Sequence, residues 1–331
     1  MKAVVLVGGQ GTRLRPLTLT TPKQMLPVAG RPMIERVLAH LAAHGVDEVI
    51  LSLGYRPDAF RVAYPDGRCA GVRLQYAVEP EPRDTAGGIA FAARFAGLGE
   101  TFLVQNGDVL TDLDITALVA FHQRAGGVAS ISLTPVDDPS RYGVVATDDR
   151  GRVTAFVEKP EPGTAPSNLI NAGTYVLEPE VLDHISGDEP VSIERETFPA
   201  LVSEGLLFAL ASDADWVDAG TVVTYLHANL SLARREEHWV DARADIDPAA
   251  VVSGSIIGAG AVVSEGACVE RALVMGGARV GRSAIIRDSI IGAGAVVGDG
   301  AVIEALSILG DGVAVEAGLA ASGRLFPAPV S

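Results

Sequence analysis

Residues 3–16 have the sequence AVVLVGGQGTRLRP, and this stretch decides the fold of the first part of the chain. Its apolar run, residues 3–7, is typical of a strand that is buried on both faces of a sheet. A glycine-rich loop, residues 8–15, follows directly. Glycines after a strand let backbone N–H groups approach a phosphate closely, and the nearby Arg13 can neutralise it. The stretch therefore predicts a strand that ends in an anion-binding loop.

Apolar runs alternate with helical patterns after this loop, which predicts βαβ units and a mainly parallel sheet. We expect strands at residues 49–53, 72–76 and 101–105, and helices at residues 32–44, 86–95 and 115–124. Ligands of open α/β sheets bind beyond the carboxyl ends of the strands. Asp108 follows the strand at 101–105, so we expect it at that edge of the sheet.

A period of six residues replaces this pattern in the last third of the chain. Aliphatic residues recur at every sixth position, at Val251, Ile257, Val263, Val269 and Met275, and again at Ile291, Val297, Ile303, Leu309 and Val315. Neither a helix nor an alternating hairpin holds this period, whereas three short strands that form one triangular coil do. The repeat resembles the left-handed β-helix of hexapeptide-repeat proteins and predicts about four coils.

Together these patterns predict an α/β fold class, with a Rossmann-like, mixed, mainly parallel sheet followed by a left-handed parallel β-helix. A length of 331 residues fits two domains. We expect the first domain at residues 1–236, a linker at 237–248 and the β-helix at 249–323. A helix at residues 222–236 is expected to end the first domain.

Composition and charge exclude several classes of function. Apolar residues make up 48% of the chain and charged residues 20%, as in globular proteins, and the net charge is −15. Because nucleic acids and anionic membranes attract basic proteins, we expect neither as a partner. Only Cys69 and Cys268 are present, and no apolar run approaches the ~18 residues of a membrane span. We therefore expect a soluble protein of the reducing cytoplasm.

Lysine is rare in this chain. Only three of the 26 basic residues are lysines, namely Lys2, Lys23 and Lys159. A lysine offers a compact ammonium that the planar fork of arginine does not imitate. The places where lysine is kept are therefore candidates for a site that needs a point charge.

Two familiar phosphate-binding motifs are absent from the N-terminal loop. A Walker loop needs Gly-Lys-Ser/Thr, and the dinucleotide fingerprint needs a third glycine where Leu14 stands. Residues 8–16 instead have the pattern Gly-Gly-x-Gly-Thr-Arg-Leu-x-Pro, and Pro22-Lys23 follows. This combination resembles the signature of the sugar-1-phosphate nucleotidyltransferases.

The resemblance extends over residues 1–230 in the family's order. It continues through the segments 79–88, 105–108, 142–143, 157–160, 171–173 and 216–221. Hexapeptide repeats are also common in the longer members of the family. Within the family, residues 79–87 and 105–114 are most similar to mannose-1-phosphate guanylyltransferases.

The resemblance implies an enzyme that transfers a nucleotidyl group from a nucleoside triphosphate to a sugar 1-phosphate, releasing pyrophosphate. The expected substrates are GTP and mannose 1-phosphate, giving GDP-mannose. Three alternatives remain open: a glucose-1-phosphate thymidylyl- or uridylyltransferase, an enzyme for another hexose or cyclitol 1-phosphate, and a catalytically idle regulatory or scaffold homologue. An acyltransferase that uses the β-helix is disfavoured, because the last histidine is His238 and the repeats contain none.

The resemblance also implies roles for individual residues. Arg13 is expected to stabilise the triphosphate and pyrophosphate, Lys23 to contact phosphate at the reacting centre, and Asp108 and Asp218 to ligate Mg²⁺. The expected nucleotide-binding residues are Gly8, Gly9, Gly11, Thr12, Arg13, Glu79, Thr85, Ala86, Gly87, Asn106 and Gly107. The expected sugar-phosphate-binding residues are Tyr142, Gly143, Glu158, Lys159, Asn171 and Thr174.

The resemblance places Glu79 where thymidylyltransferase relatives carry a glutamine that faces the base. An ionised carboxylate only accepts hydrogen bonds, and guanine presents N1–H and an amino group side by side. We therefore expect GTP to be preferred over dTTP and UTP. The alternative is that Glu79 points to solvent or to Arg83.

Ordinary structural roles compete with the proposed metal ligands. Asp218 could cap a helix that begins near Thr221, and Asp108 could be a turn residue. Asp112 and Asp114 are expected to cap the next helix rather than to bind metal.

The β-helix is expected to serve assembly. A solenoid leaves end coils and flat aliphatic faces that commonly need a cover. We therefore expect a homo-oligomer that forms through these repeats.

Overall fold

The computed structural model describes three stretches of the chain, residues 1–185, 189–234 and 239–327. The predicted boundary between the domains, at residue 236, lies outside the described residues, and the division into domains stays a prediction. No helix in these three stretches is both long enough and apolar enough to cross a membrane.

Packing divides the chain into two compact units that do not follow its order. The first unit contains residues 1–9 and 34–216. The second unit contains residues 10–33 together with the chain from Val217 onward. The glycine-rich loop at residues 8–15 is therefore shared between the two units.

The elements that precede the repeats confirm the predicted alternation of strands and helices. In chain order, the strands are β1 (Lys2–Leu6), β2 (Pro27–Val28), β3 (Arg31–Pro32), β4 (Glu48–Leu53), β5 (Arg68–Cys69), β6 (Val72–Val78), β7 (Phe102–Asn106), β8 (Val109–Thr111), β9 (Ala129–Pro135), β10 (Gly143–Thr147), β11 (Val153–Glu158), β12 (Leu169–Leu177), β13 (Leu207–Ala211) and β14 (Trp216–Asp218). The helices are α1 (Met33–Ala43), α2 (Asp58–Ala63), α3 (Asp84–Ala96), α4 (Ile115–Ala125), α5 (Phe198–Ser203) and α6 (Val222–Arg234). Each strand and helix predicted within residues 3–124 is present, with ends shifted by at most two residues.

A mixed sheet forms the centre of the first unit. Its strand order is β11-β10-β12-β7-β1-β4-β6-β5, and β9 pairs with β12 and β13. The central strands β7, β1, β4 and β6 are parallel, and β12 joins β7 antiparallel. Because parallel strands end at the same edge, the residues that follow β1, β6 and β7 lie along one edge of the sheet. This confirms the predicted α/β class for the first part of the chain.

Small side chains bring α3 close to this sheet. The helix packs on β1 and β4. Its residues Ala86, Ala90 and Ala93 are buried in the core together with Val4 and Ile50. The alanines leave the helix axis near the strands, which places the first turn of α3 at the sheet edge.

The repeats form three parallel sheets, as predicted. One contains β15 (Trp239–Val240), β18 (Ile256–Ile257), β21 (Leu273–Val274), β24 (Ile290–Ile291), β27 (Ile308–Leu309) and β30 (Leu325–Phe326). The second contains β16 (Asp245–Ile246), β19 (Val262–Val263), β22 (Arg279–Val280), β25 (Val296–Val297) and β28 (Ala314–Val315). The third contains β17 (Val251–Ser253), β20 (Cys268–Glu270), β23 (Ile285–Arg287), β26 (Val302–Glu304) and β29 (Ala320–Ser322). This arrangement is that of a β-helix and is consistent with the predicted left hand.

Aliphatic side chains fill the inside of the coils. Ile257, Val263 and Val269 are buried, as the six-residue period predicts. The six-residue period also predicts that Val251 lies inside the coil, and this prediction is wrong. Val251 is 56% exposed, and Val252 packs inward instead. The strands β15 and β16 lie within the stretch for which the sequence predicts a linker, where they pair in parallel with the next coil.

One outer face of the β-helix is covered within the second unit. Ile256, Leu273, Ile290 and Ile308 are at most 2% exposed. The helix α6 packs on β18 and β21, and it also packs on β2. The strands β2 and β3, which pair with each other, are thereby joined to the β-helix through α6.

Candidate functional site

The glycines after β1 lie at the sheet edge of the first unit. Val7 donates its backbone N–H to the carbonyl of Ser52 at 3.0 Å. A β-carbon on Gly54 would lie 3.0 Å from the carbonyl oxygen of Gly8, so a larger residue there would push this turn away. Gly9 has open space where a β-carbon would be. The turns after β1 and β4 can therefore pack closely at this edge.

Two donors hold the carboxylate of Glu79, which follows β6. The Ser52 hydroxyl donates to Oε1 at 2.7 Å, and the backbone N–H of Arg83 donates to Oε2 at 3.1 Å. A β-carbon on Gly88 would lie 2.9 Å from Oε1, so this glycine makes room for the carboxylate. Each carboxylate oxygen can accept about two hydrogen bonds, which leaves the group able to receive donors from a ligand. The sequence left open that Glu79 points to Arg83. The structure shows a contact between the two residues, made through the backbone N–H of Arg83.

The first turn of α3 is tied to the segment before α5. The backbone N–H groups of Ala86 and Gly87 donate to the carbonyl of Val191 at 2.9 and 3.2 Å. The Thr85 hydroxyl donates to Glu194 at 2.8 Å. These groups therefore stabilise the fold, and the nucleotide contacts expected of Thr85, Ala86 and Gly87 stay a prediction.

A close contact fixes the end of β7. The N–H of Gly107 donates to the carbonyl of Leu6 at 3.0 Å. Gly173 has a φ of +76°, and a β-carbon there would lie 2.7 Å from Nδ2 of Asn106. The glycine thus admits the Asn106 side chain, and Asp108 follows in the turn that leads to β8.

The strands β10 and β11 bring four predicted sugar-phosphate residues together. Gly143 pairs with Glu158, and a β-carbon on Gly143 would lie 3.0 Å from Oε2 of that glutamate. Nζ of Lys159 lies 2.7 Å from Oε1 of Glu158, and the Lys159 N–H donates to the carbonyl of Tyr142 at 2.9 Å. Lys159 has a φ of +50°. This left-handed conformation costs a residue with a side chain roughly 1–2 kcal/mol, so the surrounding structure holds the lysine in place.

Asn171 is fixed by a buried tyrosine. Its Nδ2 donates to the Tyr175 hydroxyl at 2.9 Å. Burial, and after it the negative charge of Glu194, raises the pKa of the Tyr175 hydroxyl far above its usual range. Glu158 and Asp108 act in the same direction. The hydroxyl therefore stays protonated, and Asn171 is anchored to a neutral tyrosine.

Thr174 lies apart from this group. Neighbouring residues of a strand point to opposite faces, so Thr174 faces away from Tyr175. It lines a small pocket together with Ala172 and Trp216. The Trp216 ring N–H donates to the carbonyl of Ala172 at 2.9 Å, and its ring meets that of Tyr142 edge-on at 5.6 Å. The structure thus places Thr174 near Trp216 rather than beside the buried tyrosine.

The cationic part of the signature belongs to the second unit. Residues 12–25 contain three single turns of 3₁₀ helix. Gly11 has a φ of +62°, and a β-carbon there would lie 2.9 Å from Cγ2 of Thr18 and 3.1 Å from Cβ of Lys23. The Thr18 hydroxyl donates to the carbonyl of Gly11 at 2.8 Å. The loop therefore closes on itself, with glycine at its tightest point.

Three charged side chains converge around Gly220 in the second unit. The position of a β-carbon on this glycine would lie 2.5 Å from Oδ1 of Asp218, 3.1 Å from Nη2 of Arg13 and 3.1 Å from Nζ of Lys23. Two cations and one carboxylate thus share a space that only glycine leaves open. Their sum is positive, which suits an anionic ligand such as a phosphate.

The sequence left two roles open for Asp218, a metal ligand or a cap of the helix that begins near Thr221. The start of α6 shows which groups cap this helix. The Thr221 hydroxyl accepts the N–H of Thr224 at 3.2 Å, and the Thr224 hydroxyl accepts the N–H of Thr221 at 3.1 Å. This reciprocal arrangement satisfies the first turn of the helix. The helix α6 therefore has a cap of its own, which leaves the Asp218 carboxylate to the group around Gly220.

Of the two aspartates expected to cap α4, one does so. Oδ1 of Asp114 accepts the N–H of Ala117 at 3.0 Å, which confirms that prediction. The prediction for Asp112 is wrong, because its Oδ1 accepts the N–H of Asp215 at 2.7 Å instead. Asp112 lies two residues too early in the chain to reach the first turn of the helix.

No three His, Cys, Asp or Glu side chains within residues 1–185, 189–234 and 239–327 lie close enough together to hold a metal ion by themselves. Mg²⁺ does not need such a cage, since it keeps several waters and is held by one or two carboxylates together with substrate phosphates. Asp218, beside Arg13 and Lys23, is a carboxylate of this kind, so its chemistry fits a magnesium ion that binds together with a nucleotide. The metal role of Asp108 stays a prediction.

Sequence reasoning missed several residues that shape the site. Ser52 holds Glu79, and Tyr175 and Glu194 surround Asn171 and Thr85. Ser52 and Glu194 act on residues 27 and 109 positions away in the chain, and Tyr175 acts on Asn171 within the same strand, so no motif marks any of the three. Trp216 could have been found from the sequence, since it begins the last segment of the family resemblance at residues 216–221. The resemblance implies no role for it, however.

Comparison with known proteins defines the class. The sequence matches the Nucleotidyl transferase family over residues 2–235 and the GMPPB C-terminal domain over residues 235–327. The mannose-1-phosphate guanylyltransferase of Mycobacterium tuberculosis is 39% identical over 292 residues, which cover 84% of this chain and 80% of that protein. Mannose-1-phosphate guanylyltransferase 1 of Arabidopsis thaliana is 39% identical over 301 residues, covering 85% and 82%.

A solved structure agrees with these sequence matches. HddC from Yersinia pseudotuberculosis, complexed with GMP-PN, has a TM-score of 0.60 and 30% sequence identity, and it covers 70% of this chain and 99% of its own. The chain therefore belongs to the nucleotidyl transferase family and is a sugar-1-phosphate nucleotidyltransferase. Within that family it is similar to mannose-1-phosphate guanylyltransferases, which confirms the resemblance found in the sequence.

Proposed function

We propose that the chain transfers GMP from GTP to mannose 1-phosphate, giving GDP-mannose and pyrophosphate. An oxygen of the sugar phosphate forms a bond to the α-phosphorus of GTP, the bond to the β-phosphate oxygen breaks, and pyrophosphate leaves. Catalysis of such transfers depends mainly on positioning and on stabilisation of negative charge. The names of the relatives and the GMP-PN bound to HddC support this choice of substrates.

The observation that carries the proposal is the convergence of Arg13, Lys23 and Asp218 around Gly220. We assign Arg13 to the triphosphate and the departing pyrophosphate, and Lys23 to phosphate at the reacting centre. Cations that already point to the place where charge develops need no reorganisation during the reaction. Lys23 is only 6% exposed, and limited contact with water strengthens its interaction with an anion.

We propose Mg²⁺ as the cofactor, with Asp108 and Asp218 as its protein ligands. The bound ion would neutralise phosphate oxygens and orient the triphosphate. The helix α6 is capped by Thr221 and Thr224, and the Asp218 carboxylate lies among cations proposed to bind the triphosphate, which supports a role for it in holding the metal ion of that triphosphate.

The base is recognised in our proposal by Glu79. Its carboxylate is oriented by the Ser52 hydroxyl and the Arg83 amide, both of which donate to it. An ionised carboxylate can receive N1–H and the amino group of guanine, whereas the carbonyl oxygens of thymine and uracil would face it unfavourably. The other proposed nucleotide contacts are Gly8, Gly9, Gly11, Thr12, Thr85, Ala86, Gly87, Asn106 and Gly107.

The sugar phosphate is bound in our proposal by residues of β10, β11 and β12. Lys159 contacts the phosphate, and Glu158 contacts the sugar hydroxyls. The ion pair between them, at 2.7 Å, supports this pairing because a carboxylate next to the lysine keeps the ammonium oriented. Tyr142, Gly143, Asn171 and Thr174 are the other proposed members of this subsite.

We further propose that the enzyme works in the cytoplasm as a homo-oligomer built through the β-helix. Both cysteines are free thiols, which supports a reducing compartment. The outer face of the third sheet of the β-helix carries a row of partly exposed apolar residues, including Ile285 and Val302. If this row contacts a second copy of the chain, Ile285→Glu lowers the molar mass measured by light scattering. An unchanged mass places the contacts elsewhere or makes the protein a monomer.

Pyrophosphate release tests the proposed reaction. Purified protein is incubated with Mg²⁺, each of GTP, dTTP, UTP and ATP in turn, and a panel of sugar 1-phosphates. We expect the fastest release with GTP and mannose 1-phosphate, and none once a chelator removes the metal. A higher rate with dTTP or UTP and glucose 1-phosphate would replace the proposed substrates, and no release with any pair would favour an idle homologue.

A further inference from the structure

Two Gly-Asp-Gly turns of the β-helix make the same contact with the coil that precedes them. Oδ1 of Asp299 accepts the backbone N–H of Arg282, and Oδ1 of Asp311 accepts the backbone N–H of Ala293, both at 2.9 Å. The other oxygen of each carboxylate, Oδ2, has a different partner in the two turns. That of Asp299 accepts the Arg282 guanidinium at 2.8 Å, whereas that of Asp311 faces the loop that carries Lys23.

The contact of Asp311 with this loop involves two threonines. Oδ2 of Asp311 accepts a hydrogen bond from the Thr20 hydroxyl and lies 3.5 Å from the Thr21 hydroxyl. All three residues belong to the second unit. Hydrogen bonds to a charged acceptor are roughly twice as strong as neutral ones. One carboxylate thus closes a coil of the β-helix and holds a segment almost three hundred residues earlier in the chain.

The segment held by Asp311 leads directly to Lys23. Only Pro22 separates Thr21 from the lysine, and the proline ring fixes its own φ. The carbonyl of Pro22 accepts the N–H of Met25 at 2.9 Å, which closes the 3₁₀ turn that begins at Lys23. The Lys23 side chain is almost fully buried, so packing prevents it from adjusting freely. A displacement of Thr20 and Thr21 would therefore also displace the ammonium of Lys23.

The far side of the loop has anchors of its own. Oδ1 of Asn229 in α6 accepts the N–H of Ala29 at 3.0 Å. The Tyr225 hydroxyl, also in α6, donates to the carbonyl of Pro27. These contacts fix the hairpin that follows the lysine, whereas Asp311 fixes the chain that precedes it.

We propose that Asp311 is a positioning residue for catalysis, which holds Thr20 and Thr21 so that the ammonium of Lys23 meets the reacting phosphate. This inference rests on the catalytic role proposed above for Lys23. The β-helix then sets the rate of the reaction through a side chain, in addition to any part in assembly.

Steady-state kinetics of two aspartate variants test this proposal. Asp311→Ala is expected to lower kcat about tenfold while KM for GTP and for mannose 1-phosphate changes less than about twofold, since a small displacement of a catalytic group lowers the rate more than binding. Asp299→Ala is the matched control. It loses the same hydrogen bond to the preceding coil, so both variants should lower Tm to a similar extent, but kcat of Asp299→Ala should stay within about twofold of the parent.

Combined variants show whether Asp311 acts through the loop. Thr20→Val together with Thr21→Val should reproduce the loss of kcat, because both hydroxyls are removed. In a Lys23→Arg background, Asp311→Ala should lower kcat less than about twofold, since two residues that act through one group are not additive. A purely structural role for Asp311 would lower kcat by the same factor in both backgrounds.

Four results would overturn the inference. One is an equal kcat for Asp311→Ala and Asp299→Ala, and another is a full tenfold loss that persists in the Lys23→Arg background. If Lys23→Arg is slow while Asp311→Ala keeps its rate, this inference fails alone. If Lys23→Arg has the parental kcat, the role proposed for Lys23 fails, and the inference fails with it.

Discussion

The two units of the molecule hold their site residues in different ways. In the first unit, Gly8, Glu79 and Asn106 stand at the ends of neighbouring strands, so the sheet fixes their spacing. In the second unit, Arg13 and Lys23 lie on a loop of single helical turns. Tight glycines, threonine hydroxyls and a coil of the β-helix hold that loop in place. The residues proposed to recognise the base thus lie on the sheet, and the cations proposed to stabilise charge depend on tertiary contacts.

This difference suggests a division of labour between the units. Apart from Asp108, which we propose as a metal ligand, the groups proposed at the sheet edge of the first unit contact the base and the sugar in both the ground state and the transition state. Such contacts change KM and selectivity. Cations that interact with negative charge only as it develops in the transition state raise kcat, and their loss lowers it. The variants described below test this division.

The largest effect is expected for the proposed metal ligands. Asp108→Ala and Asp218→Ala should each lower Mg²⁺-dependent turnover about 10³-fold, because several kcal/mol of charge stabilisation are lost. Pyrophosphate release over a magnesium titration measures this loss. Asp112→Ala is the control, since its carboxylate accepts the Asp215 N–H, and it should keep its turnover within about tenfold.

Melting curves separate a metal role from a structural one. Since α6 has its own threonine cap, Asp218→Ala should melt cooperatively near the temperature of the parent protein. If it unfolds instead, the carboxylate has a structural function and the proposed metal role of Asp218 is lost. The same criterion applies to Asp108, whose alternative role is that of a turn residue.

Local patterns were sufficient to predict most of the fold. The short apolar run at residues 3–7, followed at once by glycines, favours a buried strand, and the six-residue repeat carries a period that a β-helix satisfies. Val251 was assigned to the wrong face because a coil of 17 residues contains one five-residue step, and the pattern alone does not show where that step falls. The motifs also singled out Lys23 and Asp218, which lie together around Gly220.

Contacts between distant parts of the chain could not be predicted. Thr20 and Asp311 are 291 positions apart, and no periodicity indicates which coil meets the loop. Ser52 supports Glu79 from a neighbouring strand for the same reason. The division of residues 8–15 between two units also follows from packing rather than from any change in composition.

The next largest effect is expected for the lysine of the sugar subsite. Lys159→Arg should lower kcat/KM for mannose 1-phosphate about 10²-fold, because the planar guanidinium does not place its charge where the ammonium stands. We expect much of this loss as a higher KM for the sugar phosphate. Lys2→Arg is the matched control, since Lys2 pairs with Glu48 at the opposite end of β1 and should keep kcat/KM within about twofold. Equal values for both variants would remove Lys159 from the site.

A smaller effect is expected for the residue proposed to face the base. Glu79→Gln should reduce the preference for GTP over dTTP, measured as a ratio of kcat/KM values, about tenfold or more, because a glutamine offers a donor as well as an acceptor. Glu81→Gln, at an exposed position two residues later, should leave the ratio unchanged. If Glu79→Gln also leaves it unchanged, the carboxylate only supports the turn through Arg83.

The division of labour is tested most directly by the kinetics of Lys23→Arg. We predict that kcat falls at least about 10²-fold, while KM for GTP and for mannose 1-phosphate stays within about threefold, because the ammonium acts on charge that develops in the transition state. Its Tm, measured alongside, should stay close to that of the parent protein. A variant that keeps its kcat, or one that loses activity only through a higher KM, would contradict the account.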